Sequence, residues 1–240
     1  MLNLNGCRAG RTVVFLAAGI FGVSIFPAFP QENDAAGIQG IDASVASRDH
    51  SLNSYTVTEH YSVFRNREKV HPVAEMTVKT NYQRDKGKSY AVLSQSGSEL
   101  FLKQVLGRVI DGERTATQPA NRPNALITSA NYNMRVKGRE VVDGRNCITL
   151  AIVPRRAAPL LFQGELWVDA QDYSIVQLSG LTSKSPNMLS GLVQVARHYA
   201  TIDGFPLATH ATATSSGWLL GQTTVEIDYT GYQVELRPSR

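Results

Sequence analysis

From Asn131 to the C-terminus, apolar and polar side chains alternate in short runs, each ended by a turn signal. Successive side chains of a strand point to opposite faces, so a period of two predicts a long antiparallel meander. Tyr132, Met134 and Val136 share one face, and Asp143-Gly144 then supplies the dipeptide favoured in a two-residue hairpin turn. The pattern returns in Ile148, Leu150 and Ile152, in Leu166 and Val168, and in Val225, Ile227 and Tyr229. About seven strands fit this part of the chain. Upstream, Ile38, Ile41, Val45 and Leu52 follow a helical spacing over 35–52. Tyr55, Val57, Glu59, Tyr61 and Val63 then alternate as a strand, as do residues 73–82, and Tyr90 and Val92 begin a third after the Asp85-Lys86-Gly87-Lys88 turn. The helical period resumes after Ser98, a potential N-cap, with an apolar stripe of Phe101, Leu102, Val105, Leu106, Val109 and Ile110. Pro119 and Pro123 end that helix, and residues 125–127 read as a further helical turn. A sheet with one greasy face needs a cover, and what covers it is the functional question.

Arg8 and Arg11 precede an apolar run from Val13 to Ala28, the charged and hydrophobic regions of a secretion signal. The run is shorter than the roughly 20 apolar residues of a spanning helix and ends in Phe26-Pro27-Ala28-Phe29-Pro30. Residues 1–30 are therefore expected to be an export signal, with cleavage favoured over a retained anchor, and residues 31–240 a single domain. Leu4-Asn5-Gly6-Cys7 resembles a lipidation box but precedes the apolar run instead of following it.

The formal net charge is +4, and loss of Arg8 and Arg11 leaves 22 basic against 20 acidic residues. Such balance argues against nucleic acid as a partner. Arg65-Asn66-Arg67-Glu68-Lys69 and Arg84-Asp85-Lys86-Gly87-Lys88 read as solvated hairpin tips. With Cys7 in the leader, Cys147 stands alone, so no internal disulfide is expected, and its strand position suggests a half-buried, inert thiol.

Catalytic chemistry finds little footing. Ser94-Gln95-Ser96-Gly97-Ser98 lacks the leading glycine of a nucleophile elbow. The five histidines, at 50, 60, 71, 198 and 210, show no metal-ligand spacing along the chain, and no cysteine pair completes a zinc site. No cofactor or metal is expected. Asp169 and Asp172 flank a hairpin loop, where aspartate caps turns. Trp167 lies on the face opposite Leu166 and Val168, as outer cover or as a contact for a partner.

Val141-Val142-Asp143-Gly144-Arg145-Asn146-Cys147-Ile148-Thr149-Leu150, followed by Glu165-Leu166-Trp167-Val168-Asp169-Ala170-Gln171-Asp172-Tyr173, resembles a motif pair of outer-membrane lipoprotein-sorting relatives in the LolA/LolB superfamily, which includes the RseB-type sensor domain. The order of helix, three strands, helical interruption and terminal meander is similar as well, over roughly residues 35–235. Residues 115–129 match nothing in that pattern. The resemblance implies a mainly β fold: an unclosed antiparallel barrel of about eleven strands, its concave apolar face lidded by helices and open to acyl chains.

These readings together point to a periplasmic carrier, not an enzyme, that shields a lipid or acylated lipoprotein. The expected cavity lining is Val57, Tyr61, Met134, Val136, Leu150, Leu166, Val168, Val225 and Ile227, with Phe101 and Val105 as lid. An alternative keeps the fold as an envelope sensor that binds an inner- or outer-membrane protein through its rim, and a third reading is an exported enzyme of unrecognised type. Ligand identity and oligomeric state are not legible in the sequence.

Overall fold

Alternation of buried and half-buried residues runs through several strands of the sheet, where it follows the period-two pattern of the sequence. In the computed structural model, residues 34–158, 160–185, 191–217 and 221–237 are described. The expected leader, 1–30, lies outside them. The described residues belong to one compact unit, Glu32–Arg240.

Helix α1 (Asp34–Ser51) leads into β1 (Leu52–Arg65), β2 (Ala74–Gln83) and β3 (Gly87–Gly97). A helical segment follows, made of α2 (Glu99–Phe101), a π-helical stretch (Leu102–Leu106) and α3 (Gly107–Thr117). After a 3-10 turn at Arg122–Asn124 come β4 (Tyr132–Val142), β5 (Arg145–Pro154), β6 (Phe162–Asp169), β7 (Ile175–Thr182), β8 (Gln194–Ile202), β9 (Phe205–Gly217) and β10 (Gly221–Leu236). Among the described residues the fold is therefore mainly β, with ten antiparallel strands in one sheet of order β3-β2-β1-β10-β9-β8-β7-β6-β5-β4. The last strand returns beside the first, while β3 and β4 form two unpaired edges, so the sheet is unclosed.

Local chemistry explains the turns. Asp143 and Gly144 take φ of 50° and 77°, and Asp203 and Gly204 take 50° and 80°, the positive pair a tight hairpin of matching twist requires. Gly164 and Gly180 face each other across β6 and β7, and a Cβ on either would overlap a carbonyl oxygen of the opposite strand. Glycine is needed there for close approach.

The π-helical stretch has a packing reason. Phe101, Leu106 and Ile110 are buried. The first two are five residues apart, a spacing that one π turn brings onto the same face and an unbroken α-helix does not. Ser98 occupies the N-cap position in extended conformation, but its side chain makes no capping hydrogen bond. The helical turn expected over 125–127 forms instead at Arg122–Asn124. Leu52 opens β1 and is not the last helical residue, because the helix stops at Ser51. Cys147 is fully buried, beyond the half-burial expected of it. Burial and the nearby Asp169 carboxylate push its thiol pKa up, which suppresses the reactive thiolate. No helix among the described residues is long and apolar enough to cross a membrane.

Candidate functional site: a lidded apolar face with a buried ion cluster

The residues expected to line a cavity all lie on the inward face of the sheet, divided between two clusters. Val57, Tyr61, Val225 and Ile227 pack with Phe101, Leu106 and Ile110 of the helical segment, and Val105 lies against their edge. Leu150, Leu166 and Val168 pack with Ile41 of α1, and Met134 and Val136 border that group. Each half of the face thus has its own helical cover. Val57, Tyr61, Leu150, Leu166 and Val168 are 0 % exposed, so any ligand reaching them must first displace a helix or enter between the two covers.

Within this greasy face stands Glu59, also 0 % exposed, a charge the alternation of β1 places inward. Its Oε2 accepts a hydrogen bond from the Tyr61 hydroxyl, and its Oε1 lies 3.5 Å from Lys88 Nζ. Lys88 also pairs with Glu113 on α3, whose Oε1 accepts a 2.7 Å hydrogen bond from Arg197 on β8. Lys88 was expected at a solvated hairpin tip, yet its side chain is only 9 % exposed. The sequence cluster misleads because β3 has already begun at Gly87, and the strand carries the following side chain inward against α3.

Burial by itself raises a carboxyl pKa, but the charges of Lys88 and Arg197 outweigh it and hold Glu113 well below the ordinary range. Burial also opposes the charge on Lys88, and Glu113 with Glu59 overcomes it, so the ammonium persists. An unpaired charge here would be costly, since the effective penalty for an isolated buried ion is several kcal/mol.

The cluster also reports the shape of the sheet. β3 and β8 are five strand steps apart, roughly 24 Å on a flat sheet at about 4.8 Å per step. Glu113 touches side chains from both. Lysine and arginine cannot span that distance, so the sheet curls around the helical segment and the inward face is concave.

A second, polar feature lies at the rim of the sheet. Where the β4–β5 and β6–β7 turns meet β8, a cavity of about 550 Å³ is lined by Asp143, Arg145, Asp169, Asp172, His198 and Tyr199, among others. Arg145 donates from Nε to Asp169 Oδ2 at 2.8 Å and from a terminal nitrogen to Ser174 Oγ at 2.9 Å. Asp169 and Asp172 accept from the backbone N–H groups of Gln171 and Ser174, so both serve the turn, as their positions implied. Trp167 faces outward, and its indole N–H donates to Glu140. Among the described residues, no group of three histidine, cysteine or acidic side chains is placed to hold a metal ion.

The solved structures to which the chain is similar include the following three. A LolA superfamily protein from Nitrosomonas europaea shares 12 % identity, with 84 % of this chain and 94 % of that chain covered and a TM-score of 0.45. An outer membrane lipoprotein-sorting protein domain from Vibrio parahaemolyticus shares 13 %, with 85 % and 94 % covered and a TM-score of 0.48. The MucA/MucB complex of Pseudomonas aeruginosa gives 13 %, 83 % and 94 %, with a TM-score of 0.28. No protein-family model matches the chain, and no curated protein matches it in sequence.

Proposed function

We propose that this is an exported, periplasmic carrier that shelters the acyl chain of a lipid or lipid-modified polypeptide against the concave face of its sheet, with residues 99–117 as the movable cover over Val57, Tyr61, Val225 and Ile227 and α1 as the cover over Leu150, Leu166 and Val168. The observation that carries this reading is the way the cover is fastened. Apolar contacts through Phe101, Leu106 and Ile110 are joined by ion pairs from Glu113 to Lys88 and Arg197. Apolar packing alone leaves a bare greasy surface when it opens, whereas separated charges regain hydration, which lowers the cost of opening. Burial of an acyl chain contributes about 0.8 kcal/mol per methylene, so ~14 methylenes supply roughly 11 kcal/mol before ordering costs. That is enough to displace a helix held by a few apolar side chains. The lining comprises Val57, Tyr61, Met134, Val136, Leu150, Leu166, Val168, Val225 and Ile227, with Phe101 and Val105 on the cover.

Native mass spectrometry of freshly isolated protein, with uptake of a fluorescent fatty acid, tests the reading. A bound lipid mass and saturable uptake are expected, and Leu150→Glu should abolish uptake while circular dichroism stays native; unfolding marks Leu150 as core only, and unchanged uptake removes it from the lining. Absence of both bound mass and uptake overturns the carrier reading. The polar rim cavity favours a second reading, an envelope sensor that engages a membrane protein through its rim and outer face. In that case cross-linking in intact cells recovers one defined membrane protein while the purified chain takes up no lipid.

A further inference from the structure

Outward-facing residues of the sheet form a lateral row that chain order conceals. His198 on β8 is directly opposite His210 on β9, and His210 is opposite Asp228 on β10. The two imidazole centres are 6.4 Å apart, with their planes 50° from parallel. His210 Nδ1 lies 2.8 Å from Asp228 Oδ1, and His198 Nδ1 lies 4.0 Å from Asp143 Oδ2 on the β4–β5 turn. Each ring therefore has a carboxylate on its Nδ1 side. At 2.8 Å Asp228 favours the Nδ1–H tautomer of His210 and leaves its Nε2 lone pair free to ligate, the usual outer arrangement of metal-binding histidine, while at 4.0 Å Asp143 acts on His198 through its charge alone.

We propose that His198 and His210 form a two-histidine site for a borderline divalent transition-metal ion such as Zn²⁺, Ni²⁺ or Cu²⁺, with Asp228 and Asp143 as its outer supports. Two imidazoles sharing one ion at about 2.0–2.1 Å have centres roughly 5–6 Å apart, so the pair closes on an ion by a small side-chain adjustment. Both side chains are accessible, at 39 % and 38 % exposure. The two carboxylates supply negative charge that favours a dication. Water completes the coordination, which makes this an exchangeable site at the edge of the rim cavity that His198 also lines.

The test is calorimetric titration of untagged protein with ZnCl₂ and with NiCl₂, joined by electron paramagnetic resonance of the Cu²⁺ complex. One ion per chain is expected, with two-nitrogen coupling in the copper spectrum. His198→Ala and His210→Ala should each weaken binding about tenfold or more and leave one coupled nitrogen, and Asp228→Asn should weaken it about tenfold. His71→Ala, in the β1–β2 connection, should leave binding unchanged. Absence of saturable binding overturns the proposal, as does binding that survives loss of both histidines. His210→Gln retains a polar side chain of similar size, so a loss of binding shared by this variant and His210→Ala, with unchanged circular dichroism, excludes misfolding as the cause.

Discussion

At the scale of single residues, the inward face distinguishes packing from fastening. Leu150 is fully buried among Leu166, Ile148 and their neighbours. Leu150→Ala should therefore lower stability by about 2–5 kcal/mol, read as a fall in urea midpoint with unchanged slope. Glu113→Gln acts differently, since it leaves the volume and removes the charge shared by Lys88 and Arg197. Lys88 keeps Glu59 and the one-third-exposed Arg197 stays partly hydrated, so the loss should be about 1–3 kcal/mol, and the double variant Glu113→Gln with Arg197→Met should recover part of it.

At the scale of elements, the sheet and its covers answer to different forces. Gly180 sits where β6 and β7 nearly touch, so Gly180→Ala should push the strands apart and destabilise by about 1–3 kcal/mol, measured by thermal unfolding. The helical segment 99–117 rests on three buried apolar side chains and the ion cluster. In Glu113→Gln its amides should exchange with deuterium faster while those of β5 and β6 stay protected, because local opening follows the fastening that was removed. Equal acceleration in sheet and helix would mean that the segment is a seal of the core and not a separable cover. Element types were mostly legible in advance, since alternation along β1, β2, β4 to β6 and β10 marks which face is greasy. The π turn was not, because only the spacing of Phe101 and Leu106 against a real surface requires it.

At the scale of the whole molecule, the ion cluster couples stability to acidity. Glu113 has a folded pKa of about 2 against an ordinary value of 4.5. Burial opposes this depression and the charges of Lys88 and Arg197 produce it. A depressed carboxyl contributes stability that is fully present above the unfolded pKa and lost as pH falls toward the folded one. Urea midpoints should thus decline as pH drops from about 5 toward 2, and the decline should be shallower in Glu113→Gln. The sequence by itself determined the strand faces, the tight turns at Asp143-Gly144, and the apolar set from Val57 to Ile227, because a period of two and a dipeptide's backbone preference are local properties. Only the tertiary structure decided that Glu59, Lys88, Glu113 and Arg197 meet, and that His198 stands beside His210. Those pairings depend on how far the sheet curls and where a helix lies against it, which sum over the whole chain and leave no mark in any single stretch of it.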